Sequence, residues 1–421
     1  MALSKYRHDS VEVGEGDNFL KWIKQSSGNH KARMNTMKIM SIAGARPNFM
    51  KLASIVRAVE KYNVKGGVNL IDHVIVHTGQ HYDARMSHAF FEDLGLPEPD
   101  INLGVGSGSH AAQTAEIMGK FEPVLLEHCP DVLLVVGDVN STIACTLVAS
   151  KIEYPQPSAT SHEPSARRPL IVHVEAGLRS FDRDMPEEIN RILTDALSDL
   201  LFITEEGAIK HLQNEGVHAD KIHFVGNVMI DTLQQHLGRA DTSTIKQQLN
   251  VPENYGLITL HRPSNVDRKE TLLPLVDCMH RISERCHLVF PVHPRTENSL
   301  RTLGLWQELE DNKAMTLAEP LGYIDFLKLV KDASIVITDS GGIQEETTVL
   351  GVPCVTLREN TERPVTVTVG TNYLIGTNPG KIMETVNMIL DGQGKQGSIP
   401  QYWDGHAGDR IVEIILSSLA G

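Results

Sequence analysis

Long hydrophobic runs are missing from this chain. No apolar stretch approaches the roughly 20 residues that cross a bilayer, and the N-terminal MALSKYRHDSVEVGEGDNF holds no apolar core of the kind a secretory signal carries. Positive charge is short as well. Lys and Arg total 39 against 53 Asp and Glu, a formal charge of −14 with a pI near 5.7. That balance argues against nucleic acid or an anionic membrane as the main partner, because a phosphate backbone is held by clustered Lys and Arg. Any bound phosphate must be met by local cations. Cysteine is scarce: the five (Cys129, Cys145, Cys278, Cys286, Cys354) are odd in number, show no CxxC spacing and mostly sit in apolar-rich segments. Reduced, buried thiols fit that pattern, whereas a disulfide framework or a zinc site does not. The expectation is a cytoplasmic protein.

Cofactor signatures are thin too. GVGSGSH (104–110) is glycine-rich without the full GxGxxG spacing and with no clear strand before it, so a nicotinamide cofactor is not indicated. HTGQH sets His77 and His81 four apart, but Gly79 and a strand-end setting argue against the helix that i,i+4 ligation uses. Neither metal nor cofactor is expected.

What the chain does have is rhythm. From Met37 onward, short Val- and Ile-rich runs alternate with amphipathic stretches: MKIMSIAG, HVIVHTG, DVLLVVGD, PLIVHVEAG, DLLFIT, IHFVG, YGLITLH, HLVFPVH, ASIVITDSGG and PCVTLR. Strand-helix alternation of this kind predicts parallel sheets with helices on both faces. VLLVV (132–136) and SIVIT (334–338) are continuously apolar, as strands covered on both faces should be. A chain of 421 residues is too long for one compact core. About ten runs also overfill a single open sheet, so two domains are expected. The series pauses at VGNVMIDTLQQ (225–235), which puts the crossing near Gly226. The division is therefore 1–35 as a polar, disordered extension, 36–225 as an N-terminal domain joined by a C-terminal helix over 405–421, and 226–404 as a C-terminal domain. EYPQPSATSHEPSARRP (153–169) is read as a solvated loop.

In open α/β sheets ligands bind beyond the carboxyl ends of the strands. Those ends read GARPNFMK (44–51), GDVNST (137–142), EAGLRSFDRDMPEE (175–188), HRPSN (261–265), HPRTEN (293–298) and DSGGIQEE (339–346). DSGGIQEE follows a strand and opens a helix, so its glycines admit close backbone approach while free N–H groups face an anion. That is a diphosphate site by its physics, though Ser and Asp caps look similar. Glu345 and Glu346 either favour the positive end of the helix dipole or accept from a ribose diol. Arg46, Lys51, Arg179, Arg191, Arg262 and Arg363 are the cations available to a nucleotide diphosphate.

Several of these marks occur together in one order: GxRP with a following Lys, GD, HVEAGLRS, PEExNR, HR, TDSGGIQEE and TERP. From about Met37 to the C-terminus the chain resembles the non-hydrolysing UDP-N-acetylglucosamine 2-epimerases. The resemblance implies an α/β fold of two Rossmann-like domains (glycosyltransferase-B type) with a cleft between them, and a homodimer. It implies catalytic roles for Asp138, Glu175 and Glu187, with His261 and Arg191 near the sugar and phosphates. Arg46 and Lys51 match the diphosphate and active-site cations. Ser340, Gly341 and Gly342 match the phosphate-binding turn, Glu346 the ribose-binding acid and Arg363 a nucleotide-side arginine. Phe326 matches an aromatic beside the uracil, and equally suits a core position on its helix. Ser264 stands where the family often has Glu. Ala112 precedes Gln113 where many bacterial members have Arg, and Asp83 replaces a common Gln. The allosteric binding of a second UDP-GlcNAc, at Gln80 and Gln113, is therefore expected to be weakened.

The chemistry explains why acids and bases gather at one strand end. The C2 hydrogen of an N-acetylhexosamine adjoins no carbonyl carbon, so direct deprotonation faces a prohibitive barrier. Departure of UDP from C1 develops oxocarbenium character, acidifies that hydrogen and leads to a 2-acetamidoglucal. The competing readings are an epimerase acting on a modified UDP-hexosamine, a hydrolysing epimerase, a glycosyltransferase on the same fold, and a non-catalytic nucleotide-sugar sensor.

Overall fold

The computed structural model describes residues 36–66, 70–79, 94–154 and 168–420. Its first sheet is built from β1 (Met37–Ala43), β2 (Ile71–His77), β3 (Ile101–Asn102), β4 (Val132–Val136), β5 (Leu170–Ala176), β6 (Leu200–Ile203) and β7 (Ile222–Phe224). They lie in the order β3-β2-β1-β4-β5-β6-β7, all parallel. The second sheet comprises β8 (Tyr255–Thr259), β9 (His287–Pro291), β10 (Met315–Ala318), β11 (Ile335–Thr338), β12 (Cys354–Thr356) and β13 (Asn372–Leu374). Its order is β10-β9-β8-β11-β12-β13, again parallel. The two sheets are a doubly wound pair, and each reverses direction of growth at its first strand, where Rossmann-like folds leave a crevice for ligand.

Burial explains the strand sequences. Every residue of β4 and β11 is buried, because helices cover both faces and no position is left for polar alternation. Three strands escaped the sequence reading: β3, β10 and β13, of two to four residues at sheet edges. GVGSGSH is in fact preceded by a strand, the short β3.

The helices that position the site are α1 (Arg46–Val64), α2 (His110–His128), α3 (Asn140–Ala149), α4 (Pro186–Leu197), α5 (Val228–Asp241), α6 (Tyr323–Asp332), α7 (Gly341–Leu350) and α8 (Ala407–Ala420). After β7 the chain turns at Gly226, whose φ is +91°. A Cβ there would stand 2.0 Å from the Tyr402 carbonyl, so the two passages between the sheets touch, and only glycine fits at this point. α5 then packs under α1, with Val228, Met229 and Leu233 sharing one apolar core with Phe49, Met50 and Leu52. α8 returns to the same core through Ala407, Ile411 and Ile415. Its N-terminus is capped by Asp231, which accepts from the Ala407 amide (3.1 Å) and the Gly408 amide (2.8 Å). The Cys145, Cys278, Cys286 and Cys354 thiols are free and buried, and Cys129 is free and exposed. Among the described residues no helix is long and apolar enough to cross a membrane, and no group of three or more His, Cys, Asp or Glu is arranged to hold a metal.

Candidate active site

The loop after β1 is fastened across the sheet by one side chain. Asn48 accepts from the Gly44 amide (3.1 Å) and the Ala45 amide (2.9 Å), while its own amide donates to the Val136 carbonyl (3.0 Å) at the end of β4. Pro47 follows at the start of α1, where an absent N–H leaves nothing unsatisfied. Lys51, one turn on, sends its ammonium to Glu175 Oε2 at 2.5 Å. Gly137 lies beneath that ammonium with φ +67°. A Cβ there would meet Lys51 Nζ at 2.6 Å and displace the ammonium, and the positive φ favours glycine before Asp138. Arg46 opens α1, but its side chain lies outside the described residues, as does Gln80.

Glu175 sits where β5 slips against β6: the register shifts between Val174 and Ala176, and the glutamate adopts φ +71°. Such a bulge turns a side chain out of the strand's alternation and stores strain of about 1–3 kcal/mol. Burial alone would raise the Glu175 carboxyl, but Lys51 and then Arg363, 3.7 Å away, outweigh it and hold the group below its ordinary value. Its Oε1 has no hydrogen-bond partner among the described residues.

α4 supplies the opposite wall. Arg191 is in contact with Asp138 Oδ2 and bonds Glu188 at 2.8 Å, and Asn190 donates to the Asp138 carbonyl at 2.9 Å. Glu188 in turn accepts from the amides of Ser180 (3.0 Å) and Phe181 (2.9 Å), which pins the loop leading into the helix. Glu187, beside it, lines the cleft.

On the second sheet, buried Asp339 gathers the HRPSN loop. It accepts from the Arg262 amide (2.9 Å), from the His261 amide and from Asn265, and it pairs with His261 Nδ1 at 2.9 Å. These contacts hold its carboxyl down against burial. α7 begins at Gly341 directly after Ser340; a Cβ on Gly341 would stand 2.7 Å from Glu362 Oε1, and that carboxylate is itself held by Arg358 at 2.8 Å. Arg363 is 7% exposed and ion-pairs with Glu345 at 2.6 Å, off the angle of a hydrogen bond. Its Nε and one terminal nitrogen therefore have no hydrogen-bond partner among the described residues. Burial pushes Glu345 up to about 7 despite Arg363, and Glu346 up to about 8 with Glu345 adding to the effect.

These parts enclose a cavity of about 660 Å³ between the two sheets. Asp138, Glu187 and Arg191 face it from one side, and His261, Arg262 and Arg363 from the other. Lys51, Gly341 and Gly342 complete the wall, and Glu175 is buried next to it under Lys51. A second cavity of about 340 Å³ shares Gly342 and Met229 and is lined by Phe326, Ser340 and Glu346. Phe326 is half-buried on the wall of this second cavity and also packs on the core beside β8. Gln113 is buried away from the cavity on α2 and accepts from Asn140 at 2.8 Å.

The profile of the family described as UDP-N-acetylglucosamine 2-epimerase matches residues 67–416. A UDP-N-acetylglucosamine 2-epimerase of Methanocaldococcus jannaschii is 43% identical over 385 residues, 90% of this chain and 99% of the relative. The chain belongs to the UDP-N-acetylglucosamine 2-epimerase family. A crystal structure of the M. jannaschii UDP-GlcNAc 2-epimerase in complex with UDP-GlcNAc and UDP superposes with a TM-score of 0.78 at 43% identity, covering 90% of this chain and all of that one. A UDP-2,3-diacetamido-2,3-dideoxy-D-glucuronate 2-epimerase of Pseudomonas aeruginosa is 40% identical over 382 residues, 90% of this chain and 99% of its own.

Within this epimerase scaffold the sequence reading missed two acids. Asp339 was quoted in DSGGIQEE without a role. Glu205, 5% exposed at the end of β6, accepts from the Val365 backbone across the cleft and is pushed up to about 7 by burial. The segment FITEE obeys the strand-end rule, so the signal for Glu205 was present.

Proposed function

We propose that this enzyme interconverts UDP-N-acetylglucosamine and UDP-N-acetylmannosamine by elimination and re-addition of UDP. The C1–O bond breaks with its electron pair going to the diphosphate oxygen. A carboxylate takes the C2 proton, and C1=C2 of a 2-acetamidoglucal forms. UDP then returns to C1 while a carboxylic acid delivers a proton to the other face of C2. Asp138, Glu175 and Glu187 are the proton-transfer set, with His261 beside the sugar. Lys51, Arg46, Arg191, Arg262 and Arg363, with the N-terminus of α7 at Ser340, Gly341 and Gly342, receive the diphosphate. Phe326 and Glu346 receive the nucleoside.

The observation that carries this reading is the pairing, beside one cavity, of buried Arg363, whose Nε and one terminal nitrogen lack hydrogen-bond partners among the described residues, with an ionised Glu175 whose Oε1 also lacks one there. Buried polar groups are normally satisfied. An anionic leaving group and an acidic C–H would satisfy both kinds here, and a sensor that merely binds UDP needs no such acid. The cytoplasmic location belongs to the same proposal, supported by five free thiols in keeping with a reducing compartment; cell fractionation tests it. A homodimer is supported by Ile189 and Leu193, apolar residues exposed on the outer side of α4.

The test is an NMR time course with UDP-GlcNAc in deuterated water. Both epimers should appear with deuterium at C2 and no free sugar. Glu175→Gln should lower kcat by about 10²- to 10⁴-fold, the usual share of a general acid or base, while UDP still binds. An unchanged spectrum would refute turnover, and free ManNAc would move the enzyme to the hydrolysing reaction. Run from UDP-ManNAc, the same assay reads regulation: Gln113 connects through Asn140 and Asn190 to the Asp138 carbonyl, which supports weak activation by UDP-GlcNAc. The Pseudomonas relative favours a second reading, a diacetamido uronate substrate. Asp182, Asp184 and Glu187 on the cavity wall oppose it, because they would meet a C6 carboxylate with like charge.

A further inference from the structure

His173 belongs to HVEAGLRS, yet the reaction above gives it no part. It lies on β5, two residues before Glu175, with no exposed surface. Its ring nitrogens meet acceptors on both sides: Nδ1 is 2.6 Å from Asp195 Oδ1, and Nε2 is 2.8 Å from the Gly137 carbonyl oxygen. A carbonyl only accepts, so Nε2 carries a hydrogen. Asp195 is also an acceptor. Its Oδ2 takes the Gly177 amide at 3.0 Å and the Arg179 guanidinium at 2.7 Å. Against burial, His173 and Arg179 together hold this carboxyl below its ordinary range. The ring is therefore clamped between the Asp195 carboxylate and the Gly137 carbonyl.

Arg179 is closed on its far side by Glu215, a carboxylate that reaches solvent, at 2.6 and 2.9 Å. Placement gives the cluster a use. Gly137 is the turn that carries Asp138, and Asp195 sits on α4 with Asn190 and Arg191, which hold Asp138 by its carbonyl and its carboxylate. His173 thus joins the strand end bearing Glu175, the turn bearing Asp138 and the helix that grips it.

We propose that His173 is a positioning residue for the epimerisation: a ring that ties the Gly137 carbonyl to Asp195 and so fixes the carboxylate of Asp138 relative to that of Glu175. The role rests on the reaction proposed above. The test compares full-length wild type with His173→Phe, His173→Gln and His173→Asn. A Gln amide reaches the Nε2 position and keeps the Gly137 bond; an Asn amide reaches the Nδ1 position and keeps only the Asp195 bond. His173→Phe should lose about 10²-fold in kcat, the scale on which a displacement of about 1 Å acts, with KM and the Kd for UDP within about threefold of wild type. Gln should recover about tenfold of that loss and Asn none of it. Should the Phe variant fail to fold, the Gln and Asn pair still decides. Wild-type kcat in His173→Phe, or better rescue by Asn than by Gln, overturns the assignment. A wild type without turnover would refute the reaction and the positioning role together, whereas an active wild type beside an unimpaired Phe variant refutes the positioning role alone.

Discussion

Glu346 is a carboxyl group that the fold keeps from ionising. It is buried beside Glu345, and among the described residues its side chain meets one donor, the Tyr323 hydroxyl, at a long 3.5 Å. Burial and Glu345 raise it from about 4.5 to about 8. The sign of the consequence follows from proton counts. Between these values the unfolded chain has released the proton and the folded chain keeps it, so folding stability falls as pH rises through the window. Glu346→Gln has nothing to release. Its stability relative to wild type, read by urea denaturation, should improve from about pH 5 to about pH 8.5, and a constant difference would show Glu346 ionised at the lower pH. The other residue-scale lesson is Glu175, where neighbouring cations reverse what burial does to an isolated acid.

At the scale of elements, α4 is an amphipathic helix turned inside out. Glu188, Arg191, Thr194 and Asp195 are buried, while Ile189 and Leu193 are exposed. A helix face is expected to bury its apolar stripe; here the polar stripe faces inward because Asp138, His173 and the Ser180 loop supply its partners. α7 shows the complementary case, an N-terminus kept open by glycine. Gly341→Ala would push a methyl group against Glu362, which Arg358 keeps from moving aside. Calorimetric titration should show UDP affinity reduced by about tenfold, about 1.4 kcal/mol, with the melting temperature little changed. Undiminished affinity would show that the diphosphate does not approach this turn.

The whole molecule is two sheets joined by two touching passages, with charged groups meeting across the gap: Glu175 and Glu205 from the first sheet, Arg363, Glu345 and the Val365 backbone from the second. A diphosphate bound between such surfaces would neutralise the arginines and draw the walls together. Small-angle scattering should show a smaller radius of gyration with UDP-GlcNAc than without it, and a mass twice that of the 46.5 kDa chain. An unchanged radius would argue for a preformed closed cleft, and a single-chain mass would remove the dimer.

The sequence by itself determined the architecture and pointed to many of the side chains that line the cleft. Apolar runs such as VLLVV and SIVIT, spaced by amphipathic stretches, require parallel sheets covered on both faces, and strand-end chemistry is readable wherever strands are. Both signals are local in the chain, so no coordinates are needed to see them. Edge strands β3, β10 and β13 were invisible because IN, MTLA and NYL hold too few Val and Ile residues to stand out as apolar runs. The bulge at Glu175, the inward polar face of α4, the cross-cleft bond of Glu205 and the two-sided hydrogen bonding of His173 were decided only by tertiary structure. Each depends on a partner far away in sequence, and a residue type alone does not say which donor or acceptor folding will set against it.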